Sequence, residues 1–212
     1  MAIIILGRQR TGTTLLSSFL NSHPDLNIEG EILHPTRVKA GGLTVLRNMN
    51  NEKWGFNLKY NHTGEWIFSN MKYFKVIHVI RKDLLMMAIS SIINTNKKQY
   101  KRPSETLVPL RKEKWIFDVD KVRMAMNKNR KYMKRWLEKV PTLCPNFYTI
   151  YYEDFTSEGD SVKKFESSEL CSFLKIPEFV FTTKQVKVNA TSIKDIAINY
   201  KELLNLPNRS LL

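Results

Sequence analysis

Arg10, Thr11, Gly12, Thr13 and Thr14 follow one another a few residues behind an apolar run, Ile3 to Leu6, that ends in Gly7. Two glycines at this separation, with hydroxyl residues after the second, nearly reproduce G-x-x-x-x-G-K-[ST], the loop whose backbone N–H groups cradle phosphate. Thr13 stands where the lysine belongs. That lysine serves the β- and γ-phosphates of a nucleoside triphosphate, and the hydroxyl after it serves magnesium. A loop without it is poorly equipped for ATP hydrolysis. What remains is anion chemistry: N–H donors converging at a strand-to-helix turn, the favourable potential of a helix N-terminus, and a permanently charged Arg10 in the loop itself. Such a loop suits a donor with one phosphate held there and a transferable anionic group bonded to it.

The elements that must position this loop are legible as an alternation of short apolar runs and amphipathic stretches, the pattern of a parallel sheet covered by helices. Ala2 to Leu6 reads as a central strand buried on both faces, and Thr13 to Asn21 as the helix behind it. Leu26 to Ile28 is a short strand, and Trp54 to Tyr60, "WGFNLKY", another. Lys75 to Ile80, "KVIHVI", runs into Arg81 and a helix from Asp83 to about Asn94, and Phe147 to Tyr152 is a further strand. Val119 to Val140 carries Val122, Met126, Met133, Trp136 and Val140 at helical spacing. Asp160 to Leu174 and Ser192 to Leu206 read as closing helices, the second capped by Thr191 or Ser192. The fold class expected is α/β, a P-loop NTPase-like three-layer fold with a central parallel sheet flanked by helices. Residues 1–212 are expected to form one domain, with 94–118, charged and twice interrupted by proline, as a lid or acceptor loop within it.

Composition limits the partners. The 212 residues carry 34 Lys and Arg against 20 Asp and Glu, a formal net charge of +14, which favours anionic partners and says nothing about fold. Cys144 and Cys171 are too few for a disulfide framework or a metal cluster and read as buried free thiols in a reducing compartment. The strand begins almost at the first residue and no apolar run is long enough to span a bilayer, so a cytoplasmic protein is expected. No histidine, cysteine and carboxylate cluster has metal-ligand spacing.

The run "RTGTTLLSSFLNSHPDL" resembles the 5′-phosphosulfate loop of sulfotransferases that use 3′-phosphoadenosine 5′-phosphosulfate, a basic residue followed by S/T-G-T/S-T. It is most similar to the tyrosylprotein, nodulation-factor and trehalose-type members, in which an "HPD"-like turn and a following glutamate recur; here that glutamate is Glu31. The resemblance implies that Arg10, Thr11, Gly12, Thr13 and Thr14 hold the cofactor's 5′ end. It also implies that an arginine after a central strand and a serine in the next helix, Arg81 and Ser90 in "KVIHVIRKDLLMMAISS", hold its 3′-phosphate. Arginine offers a planar charged fork for such a group and serine a hydroxyl donor. "YYEDF", Tyr151 to Phe155, is similar to a strand-end Y-E-D-L, with Tyr152 near the cofactor or packed beside it. "WGFNLKY" resembles a G-F-K-L strand with Asn57 in the lysine's position, and "TTKQVKVNATSIK" a closing cofactor segment with Lys187 and Lys194.

The reaction implied is in-line transfer of a sulfuryl group to an acceptor hydroxyl, on a carbohydrate or on a tyrosine side chain, leaving adenosine 3′,5′-bisphosphate and needing no metal. Arg10 is the expected charge stabiliser. Glu31, which follows the short strand Leu26 to Ile28, is the expected general base, with His34 its rival. A P-loop kinase is the nearest alternative, weakened by Thr13. A basic nucleic-acid-binding module is the non-enzymatic one, drawn from the interleaved basic and aromatic residues of "NKNRKYMKRW" and "NKKQYKR".

Overall fold

The computed structural model describes all residues except 35–37, 62–64, 98–113, 157–162, 184–191, 208 and 212. The chain divides into two compact units, Met1–Ile80 with Arg135–Gln185, and Arg81–Lys134 with Val186–Leu212. In chain order the elements are β1 (Ile3–Gly7), α1 (Thr13–Leu20), β2 (Asn27–Glu29), α2 (Val38–Asn48), β3 (Trp54–Lys59), α3 (Glu65–Asn70), β4 (Lys75–Ile80), α4 (Leu84–Lys97), α5 (Val119–Leu143), β5 (Phe147–Tyr151), β6 (Lys163–Glu166), α6 (Ser168–Leu174), β7 (Val180–Thr183), α7 (Ile193–Ile196) and α8 (Tyr200–Leu204).

The first unit holds a five-stranded sheet in the order β2-β3-β1-β4-β5, with every pairing parallel. The fold is α/β, as the alternation predicts. β1, β3 and β4 are buried at every position; β1 accordingly reads as an unbroken apolar run, while β3 and β4 also bury Asn57, Lys59, Lys75 and His78. After β1 the chain moves out to β2 and returns through β3, then crosses to β4 on the other side of β1. The direction of winding therefore reverses at β1, and the crevice beyond its carboxyl end is where an open α/β sheet binds ligands. The loop from Arg8 to Gly12 occupies that end.

On one face of the sheet, Ile3, Ile5, Ile77, Val79 and Ile150 pack against Leu16, Phe19 and Leu20 of α1. Phe19 also meets the rings of Phe155 and Phe165. Phe165 belongs to β6, where the sequence pattern predicts the start of a helix. The structure instead pairs β6 antiparallel with β7, setting Phe165 opposite Phe181, with the two rings 6.0 Å apart. The helix begins only at Ser168, where the Ser167 side chain accepts the N–H of Leu170. The β6–β7 pair is fastened to α1 through Ser18 and Thr183, whose hydroxyl oxygens lie 2.6 Å apart. Thr182 N–H also donates to Ser22 Oγ at 3.0 Å. Cys144 and Cys171 are buried free thiols, as expected.

In the second unit, Asp83 caps α4 by accepting the Met86 N–H at 2.9 Å. The single closing helix expected over Ser192 to Leu206 is two short ones. Ser192 is the cap of the first, accepting the Lys194 N–H, but Ala197 then pairs with Trp115. Asn199 extends this pairing through both amide atoms: its Oδ1 accepts the Phe117 N–H at 3.1 Å, and its Nδ2 donates to the Phe117 carbonyl at 2.8 Å. These tertiary bonds interrupt what periodicity alone would continue. They also anchor the last residues of the expected 94–118 lid; its central part, 98–113, lies outside the described residues.

Gly55 is held to glycine by the sheet itself. A Cβ there would stand 2.7 Å from the Ile3 carbonyl oxygen and 2.8 Å from Ile3 Cβ. Backbone offers no easy relief, so Gly55→Ala should lower unfolding free energy in urea by about 1–3 kcal/mol.

Candidate anion-binding site

The loop between β1 and α1 is shaped by two residues in the left-handed region, Arg10 at φ 72° and Gly12 at φ 91°. For arginine that conformation is uncommon and costs energy, so surrounding contacts must fix it. Thr11 supplies two of them: its N–H and its buried hydroxyl both reach the Arg8 carbonyl, at 3.3 Å and 2.8 Å. Gly12 is required for a second reason, because a Cβ would run into the ring of Tyr152. Tyr152 thus packs behind the loop, one of the two roles its sequence context allowed. Gly12 is also the N-cap of α1 and brings no side-chain cap, so the first-turn N–H groups at Thr13 and Thr14 are left for an external acceptor. Thr13 is buried and Thr14 exposed.

The lysine missing from the loop comes from another strand. Lys59 ends β3 and stands beside Gly7 in the parallel register. Its ammonium donates to Thr13 Oγ1 and lies 3.4 Å from Glu31 Oε1. The Lys59 side chain is 5 % exposed, that of Glu31 35 %. Burial foremost drives the Lys59 pKa below the ordinary 10.5; Glu31 opposes the shift and the Arg10 guanidinium adds to it. The ammonium, Arg10, Thr13 and Glu31 therefore form one electrostatic group at the carboxyl end of β1 and β3.

Sequence reading fixed on Asn57 in this strand and overlooked Lys59. Asn57 is buried in the interior, its side-chain amide 2.8 Å from the Ser17 hydroxyl on α1. Ser17 also donates to the Thr13 carbonyl. The signal that could have found Lys59 is a lysine closing a fully buried strand, where only a functional or paired cation is stable.

Glu31 is brought to the group by the chain around it. Asn21, just after α1, acts as a surrogate strand residue: its amide accepts the Ile28 N–H at 2.6 Å and donates to the Ile28 carbonyl at 2.9 Å. The Gly30 carbonyl then accepts the Asn57 N–H at 3.2 Å. The "HPD" turn has a structural role, since His23 Nδ1 accepts the Asp25 N–H at 3.2 Å and the imidazole meets Phe179 edge-on at 4.7 Å. His34, the rival base, is exposed three residues past Glu31, and its backbone N–H donates to the Glu31 carbonyl.

The other expected site residues belong to the second unit. Arg81 follows β4 directly and Ser90 lies in the second turn of α4. Lys194 is exposed on α7, and Lys187 lies outside the described residues. Among the described residues no group of three or more His, Cys, Asp or Glu could hold a metal ion. No helix among them is long and apolar enough to cross a membrane.

Residues 2–62 match the model of the sulfotransferase family. The matched segment contains the whole loop, Glu31 and Lys59. Among solved structures, a sulfotransferase from Alicyclobacillus acidocaldarius is similar at 17 % identity and a TM-score of 0.49, over 87 % of this chain and 85 % of that one. No curated protein matches.

Because Lys59 holds its proton less tightly folded than unfolded, the unfolded chain binds more protons between the lowered value and 10.5, and stability rises with pH through that window. Lys59→Met should flatten this alkaline rise in urea melts. At pH 7 it should change stability by no more than about 1 kcal/mol, because relief of the ammonium's burial cost is set against the partner lost by Glu31, which is 35 % exposed.

Proposed function

We propose that this chain, whose residues 2–62 match the sulfotransferase family, moves a sulfuryl group from 3′-phosphoadenosine 5′-phosphosulfate to an acceptor hydroxyl, most naturally one on a carbohydrate. The observation that carries the reading is the Lys59 ammonium, bonded to Thr13 in the phosphate loop and paired with Glu31. One cation there touches both the place where an anionic donor is bound and the carboxylate suited to activate the acceptor.

The donor supplies the activated group, a sulfuryl joined to a phosphate. The first-turn N–H groups of α1, with the hydroxyls of Thr13 and Thr14, hold the 5′-phosphate at the helix N-terminus. Arg10 and Lys59 neutralise the charge that grows on that phosphate as its bond to sulfur breaks, and fixed cations in a site with little water do this without reorganising. Glu31 accepts the acceptor's hydroxyl proton as the new sulfur–oxygen bond forms. Alignment and charge stabilisation are sufficient for such an in-line displacement, and no residue needs to form a covalent intermediate. Arg81 and Ser90 are assigned to the 3′-phosphate on the arginine-after-strand pattern of the sequence.

Two measurements test this. Adenosine 3′,5′-bisphosphate should raise the melting temperature in proportion to its occupancy, whereas ATP with magnesium should have little effect; the reverse ranking would favour a kinase. With sulfur-labelled donor and a panel of glycans and tyrosine peptides, Glu31→Ala should reduce transfer by at least about 100-fold, the usual worth of a general base. Its affinity for the bisphosphate should stay within about twofold. Near-normal transfer by that variant would remove Glu31 from the mechanism.

A further inference from the structure

Successive residues of a strand face opposite sides of the sheet. Asn57 and Lys59 reach Ser17 and Thr13 on the α1 side, so Leu58 and Tyr60 face the other. On that other side Tyr60 Oη lies 2.6 Å from Nε2 of His78 in β4. β1 runs between β3 and β4, and its Leu6 stands beside both Leu58 and His78. The bond therefore joins the two strands flanking β1 across its back, at the level where Gly7 opens into the loop.

Both partners are buried. The Tyr60 ring also stacks on Trp136 of α5, with centroids 4.7 Å apart and planes 12° from parallel. The Tyr60 N–H carries the β3–β1 ladder one residue past the strand by donating to the Gly7 carbonyl at 3.3 Å. Burial pushes His78 down to about 4 and Tyr60 up, with Arg8 opposing, so the pair is neutral near pH 7. The phenol then donates and the imidazole accepts at Nε2, which leaves the ring hydrogen on Nδ1.

We infer that Tyr60, fastened to His78 across the back of β1, is the positioning residue for Lys59. The inference rests on the assignment of Lys59 to the anion site made above. A lysine ammonium sits on a flexible four-carbon stem, and β3 ends at Lys59 itself, where a strand is most prone to fray. Fixing the next residue by a ring stack, a ladder bond and a buried hydrogen bond fixes the Lys59 backbone between two anchors, Leu58 inside the strand and Tyr60 beyond it. A buried polar pair adds little net stability over an apolar pair of the same shape. Its effect is directional: the hydroxyl must meet one nitrogen at one distance, which an apolar contact would not require.

Tyr60→Phe keeps the ring stack and removes only the hydroxyl. The titration of Lys59, followed by NMR of 13C-lysine-labelled, ligand-free protein, decides the claim without reference to activity. The groups facing Lys59 are Glu31, Arg10 and Thr13, and none of them is altered. With the strap lost, water reaches the ammonium and its titration should move up toward 10.5; an unchanged titration overturns the inference whatever the rates do. His78→Leu should give the same shift from the other end of the bond and serves if Tyr60→Phe does not fold, while His78→Gln, which restores an acceptor, should reverse part of it. In the transfer assay, Tyr60→Phe should lower kcat by about tenfold when Lys59 is present and by less than about twofold in the Lys59→Met background, the non-additivity expected of residues that act through one another. A shifted titration in a protein that transfers to no acceptor would keep the strap and remove the sulfuryl-transfer reading.

Discussion

A buried ammonium tolerates few arrangements. Lys59 is held away from water at the end of an interior strand, and its charge is stable there only because the Thr13 hydroxyl oxygen and a carboxylate meet it. That requirement orders much of the first unit. β3 must lie beside β1 in the register that sets Lys59 next to Gly7, α1 must present Thr13 at its first turn, and the chain after β2 must return Glu31 to the same place. The remaining features of the site, from Asn21 standing in for a strand to the Gly30–Asn57 bond, serve to satisfy these conditions together. The sulfotransferase-family match over residues 2–62 covers this group and stops just beyond it.

The conformation of the loop follows from the same economy. Arg10 occupies a backbone region that side chains avoid, and two bonds from Thr11 to the Arg8 carbonyl help to keep it there. A loop already bent toward its ligand loses less freedom on binding. The strain is a property of the folded scaffold, and Tyr152 behind Gly12 leaves no room for a bulkier backbone arrangement.

What the sequence made legible was what lies close together along it. The loop from Gly7 to Thr14 is contiguous, and β1 and β4 are short, mainly apolar runs because both faces are covered, so both were read with nearly their observed bounds. β6 was read as helix because Lys163 to Glu166 offers a single apolar residue, Phe165, whose meaning depends on Phe181 on the paired strand β7. The break between α7 and α8 is imposed by Trp115 and Phe117, some eighty positions away. Lys59 went unnoticed for the same reason: the partner that makes it more than a strand-end lysine lies 46 residues earlier. Glu31 was reached through a family pattern, and the geometry adds the neighbour that gives its position a physical meaning. Arg81 and Ser90 keep the standing the sequence gives them, as residues of the second unit on a recognisable pattern.

The short outer strand β2 has a bearing on how the molecule survives at high concentration. It is three residues long, lies at one end of the sheet, and its middle residue, Ile28, turns both backbone groups outward, where the Asn21 amide takes up each of them. An uncapped margin of this kind is a template on which a neighbouring polypeptide can add a strand and begin a fibril. The asparagine that steers the chain toward Glu31 therefore also occupies that template, so a change at this position would trade solubility as well as geometry.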